Sequence, residues 1–380
     1  MHRFLRHVYR SHMQRKFSMK KLAFLVFFIS AVTFGQHNEE KPSHTTTHKE
    51  QNATLSLKEE FKKFKEHHIQ DSYSFDLLSY KNDKGEKVHW GFPLPVILWD
   101  NGLKIFSSSK FHYGETVATV GENHYKLYHA KIYKTDAHGT INLDDHHHPT
   151  NVKPLDFSIT KSIFFVFTVG LLMFFVFRKI AKSYKKSPIP TGLGRFLEPL
   201  ILFIRDDIAI PNIGKKHYKK YMNFLLTIFF FIWIINLLGL TPLGVNVTNN
   251  IAITFVLAIM TYLFTTFTAN KNYWKHIFWM PGVPVPMKIL LAPIELLGTI
   301  IKPFALMIRL YANITAGHIV LMSVLGMMVI ANNWLGSSLS FVLAFVLSLL
   351  ELLVAALQAY IFTMLSSLYF GMAVEEHDEH

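Results

Sequence analysis

The chain has 380 residues, of which 50% are hydrophobic, and it carries a formal net charge of +13. Several apolar runs approach or exceed the roughly 18 residues that are typical of membrane-spanning helices. This composition excludes a single globular domain and indicates an integral membrane protein with a soluble part. The sequence contains no cysteine, which excludes disulfides and thiolate metal sites.

The N-terminal segment has the pattern of a secretory signal. Met19-Lys20-Lys21 provides a positively charged start, and the apolar run Leu22–Phe34 that follows is too short to span a bilayer. We therefore expect residues 1–35 to be a signal peptide, with translation starting at Met19 and cleavage after Gly35. A mitochondrial presequence is the alternative interpretation of the first eighteen residues.

Residues 36–156 are expected to form a small, partly β domain outside the cytoplasm. A Lys/Glu pattern around Leu57–Phe64 indicates a short amphipathic helix. From Val88 onward, alternating Val, Ile, Phe and Tyr residues broken by Gly and Asn indicate short strands. Lys104–Phe106 and Tyr125–Tyr133 are two such predicted strands.

Histidines are concentrated in this domain. They include His44, His48, His67, His68, His89 and the run His146–His148, which follows Asp144-Asp145. Metal binding is one interpretation, but histidines in polar loops are more often simply solvated. We predict no metal site here.

Five apolar segments in residues 157–380 predict a membrane domain in which every crossing is helical. The predicted spans are about 158–177, 221–240, 251–267, 289–330 and 338–373. The last two are long enough to require tilting or kinking, and Pro293 and Pro303 are candidate kink positions.

The distribution of charge among the loops predicts the orientation. Lys and Arg follow the first and third spans, whereas the loops Thr241–Asn250 and Asn332–Ser337 contain neither. Positively charged loops stay in the cytoplasm. We therefore expect a protein of a bacterial inner membrane, with its N-terminal domain in the periplasm and its C-terminus in the cytoplasm. The positive charge then serves topology and contact with anionic lipids, and we predict no nucleic-acid partner.

The loop after the first span contains a second kind of helix. Apolar residues recur there at helical spacing, namely Phe196, Leu197, Leu200, Ile201, Ile204 and Ile208. Arg205-Asp206-Asp207 lies on the other side. This pattern predicts an amphipathic helix that lies along the membrane surface.

The fourth span carries charges at bilayer depth. At about 100° per residue, one stripe of the helix contains Glu295, Lys302, Arg309 and Asn313. His318 falls on the opposite side. A guanidinium stays charged in any protein environment, and its placement at the bilayer centre costs about 2.5–3.5 kcal/mol or more. A residue this costly indicates a function.

These residues also carry a resemblance to a known family. Lys302-Pro303, the run Arg309–Asn313, Ala316-Gly317-His318 and the run Leu357–Phe362 resemble the signature of subunit a of the F-type ATP synthase. The resemblance covers roughly residues 188–376. It implies a proton-translocating subunit with two half-channels and a stator arginine. It also implies that the partners are a rotating ring of c subunits, the peripheral-stalk b subunits and the rest of the synthase.

The residues suggest a mechanism that agrees with this resemblance. Two polar routes that do not meet would open outside near His318 and Glu351, and inside near Glu295. Arg309 would stand between them and favour the ionised form of a carboxylate on the partner. No Walker-type phosphate loop is present. We therefore predict no cofactor and a subunit that is not an enzyme by itself.

The sequence has two alternative functional interpretations. A secondary transporter or anion channel could use Arg309 to hold a substrate, although the two halves of the chain show no internal repeat. An assembly scaffold would not require Arg309 and Gln358 at matched depth.

The loop between the second and third spans resembles the family only in part. Asn246-Val247-Thr248 resembles a motif that lines the outer access path, but many relatives have an acidic residue where this chain has Gly244. Asn246 and Thr248 are equally well explained as ordinary turn residues.

The last two spans are predicted to form an antiparallel hairpin. With Trp334 at the centre of the turn, His318 falls level with Glu351, and Arg309 falls level with Gln358. The family often has the acid on the first helix and the histidine on the second, so the two appear exchanged here. We predict that His318 and Glu351 meet on the outer proton route.

Overall fold

A computed structural model describes two parts of the chain: a β domain that ends at Asp156, and a group of helices that begins at Lys161. The described residues are 71–81, 87–114, 116–146, 148–185, 192–241, 247–280, 283–330 and 334–375. The predicted signal peptide and the predicted helix at Leu57–Phe64 lie outside these residues. So do His44, His48, His67 and His68.

The β domain consists of short antiparallel strands in three sheets. The strands are β1 (Ser74–Lys81), β2 (Lys87–Pro93), β3 (Pro95–Trp99), β4 (Leu103–Ser107), β5 (Ala118–Val120), β6 (Asn123–Tyr128), β7 (Lys131–Thr135) and β8 (Leu155–Asp156). β1 pairs with β2, β3 lies between β4 and β8, and β6 lies between β5 and β7. A 3₁₀ helix follows β4 at Ser108–Gly114. The prediction of a small domain containing β structure is confirmed.

One predicted strand of this domain is wrong. The structure places Lys104–Phe106 inside β4, as expected, but it divides Tyr125–Tyr133 into β6 and β7. The chain reverses at His129 and Ala130, which both have positive φ values (47° and 55°). Two left-handed residues are what a tight hairpin turn requires, but Asn and Gly are the usual residues there. Because neither occurs, the sequence carried no turn signal.

The β domain has its own apolar core. Val96 and Leu98 of β3 pack with Tyr125 and Ile132 of the neighbouring sheet. The Tyr125 side chain is fully buried, and its hydroxyl donates a 2.9 Å hydrogen bond to Asp100 Oδ2. Burial and this hydrogen bond raise the pKa of Tyr125 to about 12.

Asp100 also lies 2.8 Å from the Lys134 ammonium. Hydrogen bonds from Lys134 and from Tyr125 hold the pKa of the Asp100 carboxyl below its usual value. This three-residue contact links the loop after β3 to β6 and β7, so it connects two of the sheets.

In the part of the chain that the structure describes, five helices are long and apolar enough to cross a membrane, as the sequence predicted. They are α1 (Lys161–Tyr184), α4 (Tyr218–Gly239), α5 (Ile251–Thr268), α7 (Val285–Ile330) and α8 (Trp334–Val374). The shorter helices are α2 (Leu193–Phe203), α3 (Ile210–Ile213) and α6 (Lys271–Phe278). Pro293 and Pro303 both lie inside α7. The turn predicted at Asn332–Ser337 extends too far, because α8 begins at Trp334 and not after Ser337.

Residues 196–208 are helical, as predicted, but the helix is not uniform, and its placement along the membrane surface stays a prediction. α2 continues into a π-helical turn at Ile204–Ala209 and then into α3. Ile204 and Ile208 are fully buried, whereas Phe196 at the start of the same predicted apolar face is exposed. A π-helical turn places an extra residue in the helix and changes which side chains share a face.

The π-helical turn packs against the C-terminal half of α8. The Ile208 carbonyl accepts hydrogen bonds from Ser367 Oγ (3.0 Å) and from Asn212 Nδ2 (2.8 Å). Gly371 lies against the backbone of Asn212 so closely that an added Cβ would collide with the Asn212 carbonyl oxygen. This glycine is therefore required by the close approach of two helices.

The β domain is attached to the first turns of α1. Phe75 stacks on Phe165 with ring centroids 6.0 Å apart, and Phe92 makes an edge contact with Phe164 at 5.4 Å. The Lys161 amide donates to the Ser72 carbonyl at 2.8 Å. Aromatic packing and backbone hydrogen bonding thus place the domain directly at the N-terminal end of α1.

We predict that Gly371→Ala destabilises the protein by about 1–3 kcal/mol, the usual effect of overpacking. Either α3 must move away from α8, or the helix carrying the new methyl group must shift. The measurement is the thermal unfolding midpoint of the detergent-solubilised protein. Gly170→Ala is the matched control, because Gly170 also lies in a membrane helix but has no atom within 4 Å of the added Cβ. An unchanged midpoint for Gly371→Ala would contradict the observed close packing.

Candidate proton-transfer sites

The hairpin of α7 and α8 brings together the two titratable residues that the sequence pairs. His318 Nδ1 lies 3.8 Å from Glu351 Oε1. Both side chains are buried, with 9% and 5% of their surface exposed. Gly317 lies against Glu351, whose Oε1 atom is 3.5 Å from where a Gly317 Cβ would be. The predicted meeting of His318 and Glu351 is confirmed, while their role stays a prediction.

Glu351 keeps one oxygen available. Within the described residues, its buried Oε2 atom has no hydrogen-bond partner. A buried polar atom without a protein partner is usually satisfied by water or by a group that binds transiently. The geometry is therefore suited to a carboxyl group that exchanges a proton.

Polar side chains from the α4–α5 connection lie next to this pair. Thr315, one turn before His318, donates a 2.5 Å hydrogen bond to Asn249 Oδ1. Asn236 of α4 accepts from Thr248 Oγ1 at 3.1 Å and donates to the Ala355 carbonyl at 3.4 Å. We call Asn236, Thr248, Asn249, Thr315, His318 and Glu351 the outer polar cluster.

The structure describes only one of the two residues that the sequence singles out in this loop. Thr248 is buried and hydrogen-bonded to a helix, which is more than an ordinary turn residue requires. Asn246 and the neighbouring Gly244 lie outside the described residues.

The β domain reaches the edge of the outer polar cluster. Asp71 Oδ2 accepts a 3.2 Å hydrogen bond from Asn250 Nδ2, one residue after Asn249. Asp71 Oδ1 accepts a 3.1 Å hydrogen bond from the Ser162 amide in the first turn of α1. One carboxylate therefore connects the domain, α1 and the N-terminus of α5.

The other end of the hairpin borders a polar cavity. The cavity has a volume of about 110 Å³ and is lined by Asn272, Tyr273, His276, Ile277, Glu295, Thr299, Lys302, Met372 and Glu375. A smaller cavity of about 20 Å³ shares four of these residues and extends to Thr261 and Thr265 of α5. Roughly 10–15 Å³ is enough for one water, so both can be hydrated. We call the larger one the inner polar cavity.

The structure brings Glu295 and Lys302 together at the inner polar cavity, as their position on one stripe predicted. Both are half-buried. Lys302 Nζ lies 5.7 Å from the centroid of the Tyr369 ring and 3.9 Å from Met372 Sδ. The ammonium therefore lies between α7 and α8, where it contacts the face of the Tyr369 ring and the Met372 thioether.

Arg309 lies between the outer polar cluster and the inner polar cavity. It follows Lys302 by seven residues and precedes Thr315 by six, which is about 10 Å of helix in each direction. Arg309 and Asn313 are both exposed. The guanidinium is within electrostatic range of Tyr369 on α8. Arg309 is thus an exposed charge on the surface of the helices, halfway along α7 between two groups of polar residues.

Gln358 differs from Arg309 in its surroundings. The contacts His318–Glu351 and Lys302–Tyr369 place Arg309 within about one helical turn of the depth of Gln358. Gln358, however, is buried, with 3% of its surface exposed. Similar depth was predicted from counting, but the different burial required the positions of the other helices.

α8 extends well past the end of α4. Asn236 lies in the last turn of α4, yet it contacts Ala355 near the midpoint of α8. A helix of 41 residues is about 60 Å long, twice the hydrocarbon thickness. A bilayer accommodates a helix of this length by tilting or kinking of the helix.

Several residues of these sites carry little signal in the sequence. Asn236 is a single amide at the end of a span, which is a common feature. Thr254, Ala258, Thr261 and Thr265 form a buried stripe of small residues on α5. Their helical spacing was a signal that could have been used.

Among the described residues, no three His, Cys, Asp or Glu side chains are grouped so that they could hold a metal ion.

Comparison with known proteins identifies a family over most of the membrane domain. The model of the family described as ATP synthase A chain matches residues 163–371. A second model, described as a domain of unknown function (DUF8433), matches residues 64–157. The boundary between the two matches coincides with the junction between the β domain and α1.

Individual relatives cover the same part of the chain. ATP synthase subunit a 2 of Chlorobaculum tepidum is 40% identical over 238 residues, which is 60% of this chain and 67% of the relative. ATP synthase subunit a of Pelodictyon phaeoclathratiforme is 42% identical over 237 residues, with coverage of 60% and 69%. The subunit a of Myxococcus xanthus is 40% identical over 235 residues, with coverage of 60% and 77%.

We predict that Asn236→Leu weakens the protein by about 1–3 kcal/mol, because it leaves the buried Thr248 hydroxyl and the Ala355 carbonyl without their partner. The measurement is the thermal unfolding midpoint in detergent. Asn223→Leu is the matched control, since Asn223 lies on the same helix with an exposed side chain. Equal effects of the two substitutions would show that the Asn236 hydrogen bonds contribute nothing specific.

Proposed function

Because the chain belongs to the ATP synthase A chain family, we propose that its polar residues form two separate proton routes, with Arg309 between them. The chain is the non-catalytic, proton-translocating membrane subunit of the ATP synthase complex. The observation that carries the proposal is the position of Arg309 on an exposed helix face, midway between the outer polar cluster and the inner polar cavity.

The exposed face around Arg309 is the proposed contact with the ring of c subunits. A guanidinium that faced lipid at this depth would cost about 2.5–3.5 kcal/mol or more, so a partner that supplies a carboxylate is expected to cover it. Phe304 and Ile308 are exposed beside Arg309 and present an apolar surface. Such a surface suits contact with small hydrophobic subunits.

Arg309 would control the ionisation of the partner carboxylate. Close to the guanidinium the ionised carboxylate is stabilised, and the proton can leave. Away from it, facing lipid, the carboxyl group must be protonated, because an isolated charge there is too costly. The ring must then turn for a proton to pass from one route to the other. Arg309 also repels protons and so prevents a direct leak between the routes.

The outer route is proposed to run along the α4–α5 connection to His318 and Glu351. The contacts Thr248–Asn236 and Asn249–Thr315 bring polar groups from the outer loop to within one turn of both residues. In this route His318 and Glu351 would pass the proton on, and Asn313 and Gln358 would contact the partner or the route near Arg309. Asn246 is proposed as a further outer residue by its resemblance to the family motif.

The inner route is proposed to begin at the inner polar cavity. Glu375 lies just after the C-terminus of α8, Asn272 and His276 lie on α6, and Glu295 lies in the N-terminal part of α7. From there the route would continue toward Arg309 along Lys302 and the threonine hydroxyls Thr261 and Thr265 of α5. Glu295 would accept protons there, and the volume is sufficient for several waters.

The remaining assignments rest on charge and resemblance. We propose residues 1–35 as a signal peptide, residues 36–156 as a periplasmic domain and residues 157–380 as the membrane domain, in a bacterial inner membrane with the C-terminus in the cytoplasm. The b subunits of the peripheral stalk and the rest of the synthase are proposed as further partners. A secondary transporter or anion channel finds no support in the comparisons.

We predict that Arg309→Ala abolishes proton-driven ATP synthesis, because no fixed charge then favours release of the partner proton. Arg309→Lys should also fail, because a buried ammonium can lose its charge, whereas a guanidinium cannot. The measurement is ATP synthesis by inverted membrane vesicles that contain normal amounts of the subunit. Arg195→Ala is the control, since Arg195 is an exposed arginine on α2. Normal synthesis by Arg309→Ala would refute the proposed role.

A second prediction tests the His318–Glu351 pair. His318→Glu places two carboxylates about 4 Å apart, where like charges repel by about 4 kcal/mol at an effective dielectric constant of 20. Proton pumping in inverted vesicles should therefore fall tenfold or more. The double variant His318→Glu with Glu351→His restores one acid and one base, and it should recover much of the rate. If the double variant pumps no faster than the slower single variant, the two residues do not act as a pair.

A further inference from the structure

The β domain presents an apolar surface on the side of its central sheet that faces away from its core. Trp99 and Ile105, together with Leu103, Leu155 and Phe157, have between 54% and 65% of their surface exposed. We call these five residues the outer apolar face. An antiparallel sheet with one solvated side normally shows polar residues there. Contiguous exposed apolar surface of this kind marks a contact with a membrane or another protein.

The register of the strands shows that these side chains form one continuous surface. Trp99 of β3 pairs with Leu103 of β4 on one side and with Leu155 of β8 on the other. Two residues earlier, Ile97 pairs with Ile105, and its carbonyl accepts a 2.9 Å hydrogen bond from the Phe157 amide. Paired residues in an antiparallel sheet point to the same side. The result is two adjacent rows of three apolar side chains.

The side chains on the opposite side of the same strands form the core of the domain. Val96, Leu98 and Phe106 alternate with the outer residues and are buried in the core of the domain. Because both sides of these strands are apolar, a shift of the strand pairing by one residue would still leave an apolar side exposed. The outer apolar face therefore requires its own partner.

The outer apolar face is continuous with a surface that must contact lipid. Phe157 lies four residues before Lys161, the first residue of α1, and the Ile159 amide donates to the Pro95 carbonyl at 3.2 Å. Along α1 the exposed side chains are apolar, as Phe167 and Leu171 illustrate. The exposed apolar surface thus runs from α1 onto the sheet within about 14 Å of chain.

The apolar stretch around α1 extends beyond the helix toward the domain. Arg178 and Lys179 are the first charged residues after this stretch. In the other direction, apolar residues continue past the start of the helix to Ile159 and Phe157, with Lys161 between them and the helix interior. Residues that flank a span often share its contact with lipid.

We propose that the outer apolar face rests in the boundary between headgroups and acyl chains of the outer leaflet. Trp99 and Phe157 are aromatic residues of the kind that accumulate at this boundary. Lys153, exposed next to β8, can contact anionic headgroups. In this position the domain lies against the bilayer beside α1, and the Asp71–Asn250 contact is held at the membrane surface.

The absence of cysteine in the chain allows a direct test of depth. Leu155→Cys and Ile105→Cys would each carry a nitroxide in the assembled complex, reconstituted in vesicles of phosphatidylethanolamine and phosphatidylglycerol. Collision of the label with oxygen, which concentrates in lipid, is compared with collision with a water-soluble nickel chelate. Thr119→Cys and Glu122→Cys are matched controls, since both positions are exposed in the same domain but lie away from the outer apolar face. The complex without an introduced cysteine gives the background.

The proposal predicts an oxygen-to-nickel collision ratio several-fold higher at Leu155 and Ile105 than at the two controls. A ratio equal to that of the controls would mean that the face is in water, and it would overturn the proposal. Low collision with both reagents would mean that a protein surface covers the face, and it would overturn the proposal equally. Because two positions are labelled, a local effect of one substitution can be recognised.

Discussion

The free energy needed to keep one guanidinium charged at bilayer depth is the constraint on which the membrane domain depends. Arg309 cannot lose its proton, and it lies on an exposed face. In the proposed mechanism, the helix that carries it is held at a fixed depth, and a partner supplies negative charge to its exposed face. Hydrated groups then approach Arg309 from both sides without meeting, because a continuous water path would let protons leak.

The helices around α7 meet this constraint by contacts at two levels. Thr315 is fixed to the outer loop through Asn249, and Lys302 is fixed at the inner end against α8. Arg309 lies between these two attachments. The close contact of Gly371 with Asn212 and the hydrogen bonds to the Ile208 carbonyl then hold α8 against the π-helical turn.

The β domain is part of the same arrangement at the outer end. Asp71 is hydrogen-bonded both to the first turn of α1 and to Asn250, directly after the loop that supplies Thr248 and Asn249. Phe75 is packed on the same turn of α1. A movement of the domain would thus be transmitted to the residues next to the outer polar cluster. This coupling gives a physical reason why a domain outside the membrane would contact a proton-translocating subunit.

The sequence by itself determined the five spans, the charged stripe of α7 and the meeting of His318 with Glu351. These depend on apolar length, helical period and antiparallel counting, which are local properties. It could not determine that Arg309 is exposed while Gln358 is buried, that Asn236 joins the outer loop to α8, or that Tyr125–Tyr133 reverses at His129 and Ala130. Only the tertiary structure decided these, because burial and hydrogen-bond partners depend on which distant helices and strands pack together.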